Sequence, residues 1–216
     1  MVSVPKYYYK SNRDSHVAIC VPVRDHVTAA FSLSLAMLMK KCGETGQKVS
    51  LHMVMGSEVA MQRQQIADEV LETGATHLLW IDADIRFPVH TLEGLLSHDK
   101  DIVACNYSTR VSPNRPVAFK SLGDLDSRVF LGTGLESIEA IGFGCILIKR
   151  EVFENLNRPY FSVEWNKDYT NLVGEDIYFC TKALEAGYSI WLEHDISKSI
   201  SHVGTRAYTI QGDCNE

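Results

Sequence analysis

The sequence predicts an α/β protein with a mostly parallel central sheet flanked by helices, and three observations support this prediction. Short apolar stretches alternate with stretches of helical periodicity over the first half of the chain, as in a doubly wound sheet. Residues 16–23 form a nearly continuous apolar run, which is typical of a strand with both faces buried. Hydrophobic residues make up 45% and charged residues 22% of the 216 residues, which is ordinary for a globular domain with a large core.

The first half of the chain alternates predicted strands with predicted helices. Strands are predicted at four apolar runs, residues 16–23, 49–55, 77–81 and 101–105. Helices are predicted between them: one over 28–41 that ends near Gly43, one capped by Ser57 that ends at Gly74, and one that begins at Pro88. Residues 1–15 are polar and rich in tyrosine, and they are predicted to form an N-terminal tail.

A less regular pattern begins after Asn106 and predicts a small antiparallel part in the C-terminal half. Residues 106–137 contain prolines and several glycines without sustained periodicity, so loops and short antiparallel strands are expected there. The later elements are predicted as a strand over 138–148 interrupted by Gly142 and Gly144, helices over 149–156 and 174–187, and strands over 188–192 and 196–203. No linker separates domains, so residues 16–216 are predicted to form a single domain.

Charge and cysteine usage argue against several classes of function. The net charge of −6 disfavours a nucleic-acid surface, which needs clustered lysine and arginine to neutralise phosphates. Six scattered cysteines without a Cys-x-x-Cys pair disfavour a paired-cysteine zinc site and favour a reduced, cytoplasmic protein. The sequence shows no signal peptide and no apolar run long enough to span a membrane, so we expect a soluble protein.

The stretch 77–87 carries the most informative motif. It begins as an apolar strand containing Trp80 and then ends in two carboxylates, Asp82 and Asp84. In extended backbone, residues two apart point to the same side, so the two acids are expected together at the carboxyl end of the strand, where open α/β sheets bind ligands. Paired oxygen ligands suit Mg²⁺ or Mn²⁺ with a bound phosphate. An acidic turn without chemical function is the structural alternative.

Three further segments carry candidate functional groups. Glu175-Asp176 opens a helix, where carboxylates interact favourably with the helix dipole and where a rigidly held carboxylate could also accept a proton. His202 lies in a His-x-Gly sequence and is either simply packed or a metal ligand. Pro22-Val23-Arg24-Asp25 follows the first strand and forms either an ordinary surface turn or part of a nucleotide site.

Taken together and in this order, these segments resemble the GT-A glycosyltransferases, particularly the small family-2-like enzymes, over residues 17–204. The resemblance rests on six motifs: Pro22–Asp25, Arg63 on the helix before the acidic strand, Asp82-Ala83-Asp84, the Gly142 and Gly144 strand with the helix that follows it, Glu175-Asp176, and His202-Val203-Gly204. It implies the Rossmann-like GT-A fold, with a nucleotide-binding half at 16–105 and an acceptor-binding and catalytic half at 106–216.

The resemblance also implies roles for individual residues. Binding of the nucleotide sugar is implied for Pro22, Val23, Arg24, Asp25, Arg63, Asp82 and Ala83. A site for Mn²⁺ or Mg²⁺ is implied at Asp82, Asp84 and His202. Asp176 would be the catalytic base with Glu175 as the alternate. Trp165 and Phe143 would form a platform for the acceptor, with packing in the core as the favoured alternative for Phe143.

The expected activity is therefore metal-dependent transfer of a sugar from a nucleotide-diphosphate donor, UDP by default, to a carbohydrate or other hydroxyl acceptor with inversion. Two alternatives stay open: a retaining glycosyltransferase with the same metal site, and a non-catalytic protein that binds nucleotide sugars or glycans. The chain departs from many relatives at Gly56-Ser57-Glu58, where they carry a Ser-x-Asp contact to the base. The short chain is expected to be a minimal catalytic domain or one cut from a longer protein.

Overall fold

The first half of the chain alternates strands and helices, as the periodicity predicts. A computed structural model describes residues 15–124, 126–166 and 168–204. The elements of this half are β1 (His16–Val23), α1 (Ala29–Thr45), β2 (Lys48–Met55), α2 (Val59–Leu71), β3 (His77–Ile81), β4 (Ile85–Arg86), α3 (Thr91–Ser97) and β5 (Ile102–Cys105). The predicted tail lies outside the described residues except for Ser15, which is buried.

The second half contains mostly short strands and three helices among the described residues. They are β6 (Ala118–Phe119), β7 (Leu135–Ile138), β8 (Ala140–Ile141), β9 (Cys145–Lys149), α4 (Arg150–Asn155), β10 (Glu164–Trp165), β11 (Leu172–Val173), α5 (Glu175–Glu185), β12 (Ile190–Glu193), α6 (His194–Ser197) and β13 (Ser201–His202). Across the described part of the chain, no helix is both long and apolar enough to cross a membrane.

A seven-stranded sheet in the order β2-β1-β3-β9-β5-β12-β7 forms the centre of the fold. β1, β2, β3, β5 and β12 run in one direction, and β9 and β7 run in the opposite direction. The sheet is therefore mostly parallel, as predicted. Because parallel strands end at the same edge, the exits of β1, β3 and β5 lie together, beside the entrance of β9, where Ile81 pairs with Cys145.

Helices cover both faces of this sheet and create two apolar clusters. On one face α2 and α5 bury the aromatic side chains of Trp80, Phe143, Phe153 and Phe179. On the other face α1 packs Phe31 and its neighbours on the alternate side chains of β1, which the two-residue period of a strand sends to opposite sides. The aromatic cluster lies directly beneath the residues that follow β3.

Several element boundaries differ from the predictions, each for a local reason. The first helix passes Gly43 and ends at Gly46, whose φ of 74° provides the left-handed cap. The cap of α2 is Glu58 instead of Ser57, and the helix ends at Leu71 instead of Gly74. The helix after Pro88 begins only at Thr91.

The two late strands were predicted as continuous but are divided. The predicted strand 138–148 is split into β8 and β9, because the backbone leaves the sheet at the two glycines between them. The predicted strand over 196–203 is wrong at its start, because residues 196 and 197 belong to the short helix α6. Only Ser201–His202 form a strand there. The side chain of Glu193 accepts hydrogen bonds from the amides of Asp195 and Ile196 and so caps that helix.

Candidate active site

An open cleft of about 540 Å³ lies at the carboxyl edge of β1 and β3. It brings together most residues that were predicted for nucleotide and metal binding, namely Pro22, Arg24, Asp25, Asp82, Ala83, Asp84 and His202. Val23 does not line it, because its side chain is buried in the core. We call this space the first cleft.

His202 reaches the first cleft because β13 pairs with β4, the strand that follows the acidic motif. His202 lies opposite Ile85 in this pairing, and the amide of Val203 donates to the carbonyl of Asp84 at 2.8 Å. Two segments more than 110 residues apart in the sequence are thus joined by backbone hydrogen bonds. This pairing explains why the His-x-Gly sequence lies beside Asp-x-Asp.

The backbone of Asp82-Ala83-Asp84 is a turn and is not extended, which corrects the expected arrangement of the two acids. The amide of Ile85 donates to the carbonyl of Asp82 at 3.0 Å and closes the turn. Both carboxylates line the first cleft, but each binds a different arginine: Asp82 binds Arg63, and Asp84 binds Arg110.

Arg63 is a buried ion-pair centre. Its Nη2 lies 2.7 Å from Asp82 Oδ1 and its Nε lies 3.2 Å from Glu175 Oε1, while its side chain is only 3% exposed. The guanidinium also lies over the rings of Trp80 and Phe143, at 5.8 and 5.2 Å from their centroids. A buried arginine needs such partners, because removal of its charge from water is costly without them. Arg63 thereby connects the end of β3 to the start of α5.

Asp84 and His202 have the geometry of a metal-binding pair. Asp84 Oδ2 and His202 Nε2 lie 3.3 Å apart, close enough for one cation to contact both. Nδ1 of His202 lies 3.0 Å from the carbonyl of Ser108, and in the tautomer that donates to this carbonyl Nε2 keeps its lone pair toward Asp84. Metal-bound histidines are commonly oriented by such a second hydrogen bond. The pair fits two protein ligands of a cation whose other ligands are phosphate and water.

Asp84 and His202 each shift the pKa of the other. Burial acts to raise the pKa of Asp84, but the hydrogen bond and charge of His202 and the charge of Arg110 lower it overall. Burial likewise acts to lower the pKa of His202, but its hydrogen bonds to Asp84 and Ser108 raise it. Within the described residues no group of three or more His, Cys, Asp or Glu could hold a metal ion. Asp82 is turned to Arg63 and does not complete such a group.

Asp176 lies outside the first cleft and faces a second one of about 270 Å³. Its Oδ1 accepts a hydrogen bond from the amide of Ile177 at 2.7 Å and lies over Gly174, where a Cβ would be only 2.7 Å from this oxygen. Gly174 therefore leaves room for the carboxylate. Burial, and then the charge of Glu175, raises the pKa of Asp176 to about 6.

Tyr107 separates the two clefts, and the sequence did not reveal it. Its ring contacts the His202 ring edge-on at 5.4 Å, and its hydroxyl accepts a hydrogen bond from the amide of Gly144 at 3.0 Å. A Cβ at Gly142 or Gly144 would lie 2.4 or 2.6 Å from atoms of Tyr107. The two glycines are thus required by the tyrosine, and a Gly-x-Gly break in a strand is the only sequence signal for such close packing.

The predicted acceptor platform is not assembled. Phe143 is 1% exposed and packs edge-on against Trp80, Phe161 and Phe179, so the prediction that it contacts an acceptor is wrong: its ring belongs to the core. Trp165 is 56% exposed on the β10–β11 hairpin and lines neither cleft.

Comparisons with known proteins agree with this architecture. No protein-family model and no curated protein matches the sequence. Among solved structures, A197 from STIV matches with a TM-score of 0.55 and 16% identity, over 91% of this chain and 97% of that chain. A mutant of Drosophila β-1,4-galactosyltransferase 7, in complex with manganese, UDP-Gal and xylobiose, matches with a TM-score of 0.50 and 15% identity, over 94% of this chain and 76% of that chain. At these identities the likeness shows the fold, and the chain has the GT-A glycosyltransferase fold that was predicted.

Proposed function

We propose that this protein is a metal-dependent glycosyltransferase that moves a sugar from a nucleotide-diphosphate donor to a hydroxyl acceptor. The observation that carries the proposal is the meeting of Asp84 and His202 in one cleft with the turn that follows β1. Open α/β sheets bind nucleotides at this edge. The Drosophila galactosyltransferase that shares the fold is itself in complex with manganese and UDP-Gal, which makes UDP the donor to test first.

The first cleft would bind the nucleotide and its diphosphate. Arg24 and Asp25, both exposed at the exit of β1, are available to the base and ribose. Arg110 lies 2.8 Å from Asp84 with a side chain that is 52% exposed, so its guanidinium can also reach a diphosphate oxygen. Arg24 and Arg110 are the arginines in the described lining of this cleft, and they would supply positive charge for an anionic donor.

Asp84 and His202 would hold Mn²⁺ or Mg²⁺. Such a cation, when bound, supplies Lewis-acid stabilisation of the charge that develops on the leaving diphosphate. The role of Ser108 is to orient His202 through its carbonyl, and the role of Arg63 is to hold Asp82 and the turn in place. Asp82 would then face the ribose side of the donor without being a dominant metal ligand.

Asp176 would remove the proton from the acceptor hydroxyl. Glu175 is bound to Arg63, which leaves Asp176 as the carboxylate available for proton transfer. A base with a pKa of about 6 is ionised at neutral pH and still basic enough to accept a proton. Attack by a hydroxyl deprotonated on the side opposite the diphosphate gives inversion at the anomeric carbon.

The test is release of nucleoside diphosphate from nucleotide sugars in the presence of Mn²⁺. We expect metal-dependent release that is lost in Asp84→Ala and in Asp176→Asn but retained in Asp99→Asn. Asp99 is a suitable control because its side chain is 88% exposed and pairs with Lys149 at the opposite edge of the sheet. A protein that binds UDP in all four forms and never releases it from a nucleotide sugar would be a binder and not an enzyme. A product of retained configuration would exclude the inverting mechanism.

A further inference from the structure

The second cleft differs in chemistry from the first, although Tyr107 of its lining packs against His202 of the first. The first cleft is lined by several carboxylates, two arginines and two histidines. The walls of the second are mainly apolar, and the apolar side chains in them are Val117, Phe119, Leu122, Ala140 and Ile177. The polar side chains in the same lining are Tyr107, Thr109, Ser121, Arg128 and Asp176. This contrast indicates that the two clefts bind different kinds of molecule.

The one cation in the described lining of the second cleft, Arg128, is already packed against the wall of the cleft. The guanidinium of Arg128 lies over the ring of Phe119, at 4.6 Å from its centroid, and donates to the carbonyl of Pro116. The carboxylate of Asp176 lies in the same lining and would repel a negatively charged ligand. The described lining thus carries one positive and one negative side chain and no excess charge, so a ligand of this cleft is expected to be uncharged.

We propose that the second cleft binds the acceptor, and that the acceptor is an uncharged compound with an aryl or alkyl group next to the hydroxyl that is glycosylated. This inference rests on the proposed glycosyltransferase function. Apolar walls gain free energy only by contact with apolar surface, whereas a fully hydroxylated ligand would lose water there without enough polar partners. The polar end of the acceptor would lie at Asp176 and Tyr107, on the side of the second cleft that packs against His202.

In the proposed transfer step, Asp176 is the carboxylate that acts on the acceptor. The acceptor O–H gives its proton to Asp176, and the oxygen forms a bond to the anomeric carbon of the donor. The bond between that carbon and the diphosphate oxygen breaks, and its electron pair leaves with the nucleoside diphosphate. Asp176 then returns the proton to solvent. The apolar group of the acceptor takes no part in the chemistry and serves only to place the hydroxyl.

Binding without a donor tests the inference directly. We expect saturation-transfer NMR to show that phenyl β-glucopyranoside binds about tenfold more tightly than methyl β-glucopyranoside, because the ring adds apolar contact area. The substitution Leu122→Asn should remove most of this preference. Leu172→Asn is the matched control, since Leu172 is 59% exposed on the distant hairpin β10–β11 and lines neither cleft.

Equal affinity for the two glycosides, or a phenyl preference that survives in Leu122→Asn, would overturn the inference. The same panel, run with nucleotide sugars and Mn²⁺, separates this failure from failure of the proposed function. Release of nucleoside diphosphate without any aryl or alkyl preference refutes only the acceptor class. If the phenyl glycoside binds in the second cleft but no nucleotide sugar releases nucleoside diphosphate, the result supports the binding site in the second cleft and refutes the glycosyltransferase activity.

Discussion

Replacement of Asp176 by asparagine should stabilise the protein at neutral pH while it abolishes catalysis. The pKa of Asp176 is raised from 3.8 to about 6, so the folded state binds a proton more tightly than the unfolded state. The stability that this group contributes is fully present below about pH 4 and is lost as the pH rises through 6. A rise of this size corresponds to about 3 kcal/mol for a fully buried group.

Because Asp176 is partly exposed at the cleft, solvent screening reduces this value, and we expect Asp176→Asn to gain about 1–2 kcal/mol at pH 7.5. Asparagine keeps an oxygen that can accept the hydrogen bond from Ile177. Urea denaturation of the wild type and of Asp176→Asn at several pH values measures the difference in their free energies of unfolding. This difference should be near zero at pH 4 and constant above pH 7. A difference that does not change with pH, or that falls with rising pH, would refute the reasoning.

The adjacent substitution Glu175→Gln is the matched comparison, and its effect on the free energy of unfolding should have the opposite sign. Glu175 is 14% exposed and accepts a hydrogen bond from the buried Arg63. Loss of its charge weakens a buried ion pair and should destabilise the protein by about 1–3 kcal/mol at pH 7.5. Two neighbouring carboxylates on one helix start would thus respond oppositely to the same change. If both variants are destabilised equally, Asp176 is not held in an environment that disfavours its charge.

Three further predictions address the rest of the site. Arg63→Met should lower the free energy of unfolding by about 3 kcal/mol, since it leaves two partly buried carboxylates without their arginine partner, and an unchanged urea midpoint would contradict this. Gly144→Ala should cost about 1–3 kcal/mol because the new methyl group overlaps Tyr107, and the double variant with Tyr107→Leu should recover part of that loss in the same assay. UDP should raise the melting temperature more with Mn²⁺ than with EDTA. This extra rise should disappear in His202→Ala and persist in the control Asp99→Asn. If it persists in His202→Ala, His202 is not part of the metal site.

The sequence predicted the elements that obey strong periodic rules. The strands β1, β2, β3 and β5 were located to within a residue, and β1, β3 and β5 are the continuous apolar runs of buried parallel strands. The two-residue strand β4 was not predicted. The first cleft could also be predicted, since residues that follow parallel strands gather at one edge of the sheet. His202 was included through its place in a motif, and the structure explains that place by the pairing of β13 with β4.

The remainder depends on contacts that leave little trace in local sequence. The turn at Asp82–Ile85 separates the two aspartates, although their spacing alone suggests a shared side. Tyr107 and Arg110 come from a segment rich in turns, where periodicity gives no position for a side chain. The position of Phe143 is equally hard to predict from local sequence. Its neighbours are glycines near the site, but its ring packs in the aromatic core.

The arginine that connects Asp82 to Glu175 has a consequence for protein engineering. The two carboxylates come from opposite halves of the chain, and both contact the same buried guanidinium. A chimera that keeps the donor half and exchanges the acceptor half must therefore bring an acid to position 175, or Arg63 loses one of its two carboxylate partners. Acceptor specificity could be exchanged by loop replacement around 117–122, which leaves that ion pair untouched. The half-and-half design suggested by the predicted division of the chain would separate this ion pair, and with it the contacts of Asp84 with Arg110 and His202.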